Sequence, residues 1–187
     1  MRNKFPESYY KRAIKELLSQ DELLSASKNP EFILENTLKM LSELLHLNRG
    51  RIYLWSDTAQ NLRIRYAYKL SRTEMIKGKY EICEGITGQV FESGKAALIS
   101  DIKLSPEYVG KVTPRQLHQK KPISYIAVPI SHENNPLGVL AVETITHYDG
   151  DAEANALVLK LVADMLSKII HDYELCEYEY KNVVECA

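Results

Sequence analysis

Apolar residues in this chain keep two rhythms, and the change between them falls between residues 45 and 51. Ile33, Leu34, Leu38, Leu41, Leu44 and Leu45 recur at helical spacing, as on one face of an α-helix. From Arg51-Ile52-Tyr53-Leu54-Trp55 onward the period is two, and Leu62-Arg63-Ile64-Arg65-Tyr66-Ala67-Tyr68 alternates cleanly. These two stretches are predicted strands, paired as a hairpin across the polar turn Ser56 to Asn61. A chain that opens with helices and then turns to hairpin-joined strands must bury helix against sheet, which gives the α+β class.

The other elements follow from local signals. Residues 7–26 read as a helix with Ile14, Leu17 and Leu18 on one face. Pro30 suits the first turn of the next helix, with Asn29 as its N-cap. Asn48-Arg49-Gly50 is predicted to end that helix, the glycine leaving it with positive φ. Ser71 to Lys77 is a helical turn, Lys79 to Cys83 is extended, Gly85 to Ser93 is a short helix bounded by Gly94, and Ala97 to Ser100 is a strand. Residues 101–121 are irregular. Strands Ser124 to Ile130 and Leu137 to Thr144 flank the turn Asn134-Asn135-Pro136, whose residues are typical turn formers. A helix runs from Asp151 to beyond Tyr180.

The length of 187 residues fits one domain with an appendage. A formal net charge of −1 gives no overall field toward nucleic acid or an anionic membrane. It is a cancellation between a basic loop at 108–121 and an acidic tail at 172–187. No apolar run approaches the ~20 residues that span a bilayer, and the first residues carry no apolar signal-peptide core, so a cytoplasmic address is expected. Three cysteines, Cys83, Cys176 and Cys186, speak against a disulfide scaffold or a four-ligand zinc site. The five histidines show no metal-binding spacing. Tyrosine is over-represented, with 12 residues. Tyr9, Tyr10, Tyr173, Tyr178 and Tyr180 lie near the ends, where they would suit partner-facing surfaces.

Glu84-Gly85-Ile86-Thr87-Gly88-Gln89-Val90, Ser93-Gly94-Lys95, Asp101-Ile102, Ile123-Ser124-Tyr125-Ile126-Ala127-Val128-Pro129-Ile130 and Leu137-Gly138-Val139-Leu140-Ala141-Val142 together resemble a GAF domain. With Arg49-Gly50 and Lys77-Gly78-Lys79-Tyr80 added, the set resembles the sensor domain of NifA-type sigma-54-dependent nitrogen-fixation activators. The resemblance covers roughly residues 21–170. It implies a central antiparallel sheet of about six strands. The N- and C-terminal helices would cover one face, and short helices and loops a pocket on the other. The domains expected are an N-terminal helix at 1–20, the GAF domain at 21–170 and a signalling helix at 171–187. The strand at 139–144 ends Val-Glu-Thr where the family shows Val-Asp-Arg, so the role of that arginine is not carried over. No phosphate loop occurs. The ATPase and DNA-binding parts of such an activator are therefore expected outside this chain.

The resemblance implies a regulatory sensor without catalysis, binding a small ligand or a regulator protein. From the expected topology the ligand-facing residues are Tyr80, Thr87, Ile99, Asp101, Thr113, Arg115, Ser124, Tyr125 and Glu143. Arg115 and its basic neighbours suit a carboxylate, and some relatives are thought to sense 2-oxoglutarate. The helix start after Gly85 could take an anion, or its glycines could simply allow a tight joint. Leu159, Val162, Leu166, Ile169, Tyr173, Cys176 and Tyr180 form an a/d stripe expected to build a homodimer, with Val158, Leu161 and Met165 turned to the sheet. A frayed tail is the alternative. The second functional reading is a docking or dimerisation module that binds no ligand. The third is a free methionine sulfoxide reductase. That chemistry needs cooperating cysteines, whereas Cys83 stands apart from the other two and is expected as a buried thiol.

Overall fold

A computed structural model describes residues 10–12, 14–16, 29–114, 121–145 and 151–185, with the side chains of 152–173 in the last stretch. Residues 10–12 and 14–16 are helical, and Tyr10 and Ile14 pack on the core. Leu17, Leu18 and Leu24 of the expected first helix lie outside the described residues.

Helix α1 spans Pro30–Leu45. Asn29 Oδ1 accepts the Phe32 N–H at 3.2 Å and so satisfies one of the free amides at the helix start. The helix leaves through His46, at φ 54, and not at Gly50. Strand β1, Asn48–Ser56, therefore begins three residues before the expected Arg51. Gly50 serves close approach: a Cβ there would stand 3.2 Å from Leu38 Cδ2, so its absence lets β1 pass under α1.

Strand β2, Asn61–Ala67, pairs antiparallel with β1. The alternation is not continuous. Tyr53 pairs with Ile64 but Ile52 pairs with Tyr66, which leaves Arg65 as a bulge. The bulge moves Tyr66 to the face opposite Leu62 and Ile64. Helix α2, Arg72–Lys77, opens on a Ser71–Glu74 capping box. Then come β3, Lys79–Tyr80, helix α3, Gly85–Ser93, and β4, Ala97–Ile99. Strands β5, Ile123–His132, and β6, Asn135–Ile145, are joined by Glu133 and Asn134 at φ 49 and 67. This two-residue turn matches the right-handed twist of a hairpin. It is shorter than expected, since Asn135 already belongs to β6. Helix α4 spans Asp151–Glu185.

The strands form one antiparallel sheet in the order β3-β2-β1-β6-β5-β4. Gly138 sits where a Cβ would run into the Tyr53 carbonyl, so glycine allows β6 to lie against β1. One face carries Ile52, Leu54, Ile126, Val128, Ile130, Leu140 and Val142, buried with α1 and α4. The other carries Tyr53, Leu62, Ile64, Tyr125, Ala127, Val139 and Ala141, buried under α3 and the segment 101–114.

The expected dimer stripe meets this architecture differently. Leu159, Val162 and Leu166 are buried in the chain's own core, and Ile169 packs at its edge. The sheet is an apolar surface already present in the same chain, so it takes the face that sequence spacing assigned to a second copy. Leu161, expected against the sheet, is 51% exposed, and Leu157 beside it on the helix surface is 69% exposed. Tyr173 is half-buried. The side chains of Cys176 and Tyr180 lie outside those described.

Candidate functional site: a charged cluster in a tyrosine cage

The site lies on the sheet face away from α1 and α4. Strand alternation turns Arg51 and Tyr53 of β1, Tyr125 of β5 and Glu143 of β6 to that side. Tyr80 closes it from β3, Thr87 from α3, and Tyr108 and Thr113 from the loop 101–114. The loop is tied down by the Ile102 N–H, which donates to the Ile123 carbonyl at 2.9 Å, and by buried Ile102 and Val112.

Glu143 is the centre. Arg51 Nη2 donates to its Oε1 at 2.7 Å, and Arg49 Nε donates to its Oε2 at 3.0 Å. The Thr113 hydroxyl stands 2.7 and 2.8 Å from the two oxygens, and Tyr108 Oη reaches Oε1 at 3.4 Å. Arg49 reaches this point from a second bulge, where β1 carries an extra residue against β6 and Arg49 has φ 51. Its Nη2 also donates to Glu74 Oε1 at 2.7 Å. One arginine thus links the sheet to the capping box of α2.

Tyrosines surround the charges. Arg51 Nε donates to Tyr53 Oη at 2.9 Å, and its guanidinium lies 5.1 Å from the centre of the Tyr125 ring. Tyr53 meets Tyr80 edge-on at 5.6 Å, and Tyr108 meets Tyr125 edge-on at 5.3 Å. Tyr125 Oη and Thr87 Oγ1 share a hydrogen bond of 2.9 Å.

Burial pushes the phenols of Tyr53, Tyr80, Tyr108 and Tyr125 well above their ordinary pKa. They act as neutral hydrogen-bonding groups. Burial works against the charge on Arg51, but Tyr53 and Glu143 outweigh it and hold the guanidinium's pKa above its ordinary value. The Ser71 amide, followed by Arg49, lowers Glu74 to about 2. Chemically, the site offers a fixed cation, hydroxyl donors and aromatic walls. That set recognises an anion or a planar group.

Of the residues predicted to face a ligand, Tyr80, Thr87, Thr113, Tyr125 and Glu143 come together here. Ile99 packs at the margin. Asp101 serves the loop itself, its Oδ1 accepting the Lys103 N–H at 3.0 Å. Ser124 points to the other face with Ile126 and Val128, because neighbours on a strand cannot share a side. Arg115, with His118 and Lys120 of the basic loop, lies outside the described residues. Sequence reasoning missed Arg49, Arg51, Tyr53, Glu74 and Tyr108. Arg51 and Tyr53 were visible as the polar-edged face of an alternating strand. Part of the tyrosine excess is spent on this cage, at the mid-chain residues Tyr53, Tyr80, Tyr108 and Tyr125.

The glycines after Glu84 make the tight joint. A Cβ on Gly88 would strike the Glu81 carbonyl, and Gly85 has φ 58. Glu84 occupies the helix start, ion-paired to Lys111. Cys83, expected buried, is exposed, in a turn where its φ is 62. Among the described residues no three His, Cys, Asp or Glu side chains are arranged to hold a metal ion. No helix among them is long and apolar enough to cross a membrane.

The Nif-specific regulatory protein of Herbaspirillum seropedicae is 27% identical in an alignment of 169 residues that covers 88% of this chain. The chain spans 30% of that relative's length. The crystal structure of the A. aeolicus nlh2 GAF domain in an inactive state superposes with a TM-score of 0.75 at 21% identity, covering 88% of this chain and 97% of that one. The free methionine-R-sulfoxide reductase of Neisseria meningitidis superposes with a TM-score of 0.71 at 17% identity, covering 94% and 98%. Both superpositions speak to the fold alone. The family pattern described as GAF domain matches residues 29–170, the span that builds the sheet, both covering layers and the cluster around Glu143. On that match the chain belongs to the GAF domain family.

Proposed function

We propose that this domain is the regulatory sensor of a cytoplasmic Nif-type transcription activator that works with sigma-54. A small ligand binds over the tyrosine and arginine face, and 2-oxoglutarate is the first candidate. The signal crosses the sheet to α4 and passes to an ATPase output domain of a longer chain. The observation that carries the reading is the alternation of β5. Tyr125 stands in the charged cluster, while its neighbour Ile126 packs in the core that α4 seals. A shift of one residue is therefore felt by the other. A ligand moves the helix only by binding one arrangement better than the other. The Nif-specific regulator among its relatives supports the regulatory role.

The proposed domain is a homodimer. Its seam is the exposed face of α4 with Leu157 and Leu161, extended by the segment 171–185. It binds no nucleic acid itself and catalyses nothing. A reductase would need cysteines acting together at the site, and Cys83 faces solvent.

A second reading, a docking module for a regulator protein, is favoured by one fact. Among the described residues every buried side-chain nitrogen and oxygen has a partner, so the cluster is satisfied without a ligand. A thermal-shift titration with 2-oxoglutarate, nucleotides and amino acids separates the two. The sensor reading expects a saturable rise in Tm. No rise with any of them leaves the docking module.

A further inference from the structure

The Glu143 carboxylate is held by more donors than a structural ion pair requires. Two guanidinium groups and two hydroxyls converge on its oxygens, from β1 and from the loop 101–114. Arg51 and Glu143 are 1% and 3% exposed. Taking such charges out of water is costly, and an apolar pair of similar volume holds two layers together as well or better. An apolar pair cannot exchange one carboxylate for another. The donors also come from unequal supports. Arg49 and Arg51 are fixed on a central strand, whereas Thr113 and Tyr108 sit on a segment without strand or helix among its described residues. A carboxylate in this cradle therefore helps to hold the Tyr108–Thr113 end of that segment on the sheet, beside the anchors at Ile102 and Val112.

We infer that Glu143 is a built-in occupant of a carboxylate receptor. A small carboxylate ligand binds by taking its place on Arg51, Arg49 and Thr113. The inference rests on the sensor reading for the existence of a carboxylate ligand and adds the internal group that competes with it. Glu143 lowers the affinity for the incoming carboxylate and keeps the segment seated while the ligand is absent. Arg49 carries the exchange further, because its other nitrogen holds Glu74 at the start of α2.

The test titrates the full chain with glutarate, and separately with acetate, at constant ionic strength, by calorimetry and by Tm. Glu143→Ala should bind both at least tenfold more tightly than the wild type, and its lowered Tm should recover saturably with acetate. Glu143→Ala with Arg51→Met should bind neither. If Glu143→Ala does not fold, Glu143→Gln, which keeps the shape and removes the charge, should show the same tenfold gain. Folded variants that bind no more tightly than the wild type overturn the inference. If the wild type binds a ligand in the screen whose affinity these variants leave unchanged, the inference falls and the sensor reading stands. If the variants bind glutarate but no ligand shifts the wild type, Glu143 is a fixed partner of Arg51 whose cavity a carboxylate merely fills, and the inference falls together with the sensor reading.

Discussion

Arg51 and Glu143 meet across the sheet on a diagonal. Arg51 is paired in register with Ala141, and its guanidinium reaches one strand step further along β6 to Oε1 of Glu143, 2.7 Å away. The length of the arginine side chain spans that step, and the small Ala141 leaves the path open.

Removing one partner strands the other in a buried place. Arg51→Met or Glu143→Ala should each cost about 3–5 kcal/mol in urea unfolding. The double variant Arg51→Met with Glu143→Leu should cost clearly less than the sum, since no buried charge is then left on that side of the pair.

The two apolar faces of α4 should separate by assay. Leu159→Ala, fully buried against the sheet, should lose about 2–5 kcal/mol of stability. Leu157→Glu with Leu161→Glu, both on the exposed face, should change stability by about 0.5 kcal/mol or less per site. The proposed dimer would instead lose association, read by sedimentation. An unchanged sedimentation profile would rule out that seam.

Glu74 makes part of the stability pH-dependent. Its pKa falls from 4.5 to about 2 on folding. A lowered carboxyl pKa stabilises the fold above the unfolded value, and that share is lost as pH drops from about 4.5 toward 2. Glu74→Gln should flatten the pH dependence of the unfolding free energy in that window and leave the rest of the curve parallel.

Gly138→Ala should push β6 away from β1, because its methyl group would meet the Tyr53 carbonyl. A cost of about 1–3 kcal/mol is expected from such overpacking. Gly94→Ala offers a contrast. It meets no atom within 4 Å, and only its φ of 64 is unfavourable.

Much of this fold was legible along the chain. The N-cap at Asn29, the start and stop of α3 at Gly85 and Gly94, and the strand character of β5 are local signals, and the structure follows them. What local signals cannot carry is the choice of partner. The stripe Leu159, Val162 and Leu166 fits a second helix and a sheet equally well, and only the tertiary fold shows that the sheet takes it. The same holds for the site. Thr113, Tyr125 and Glu143 could be placed by topology, but Arg49 enters through a bulge that sequence alternation hides. Ser124 was misplaced because topology named the strand without its facing.

The outermost strands, β3 and β4, are two and three residues long. Both rims of the sheet thus offer little free backbone for another chain to pair with, a brevity that guards against ribbon-like aggregation. Any companion of this domain would then be chosen by side chains on its helices and loops rather than by main-chain pairing at these rims.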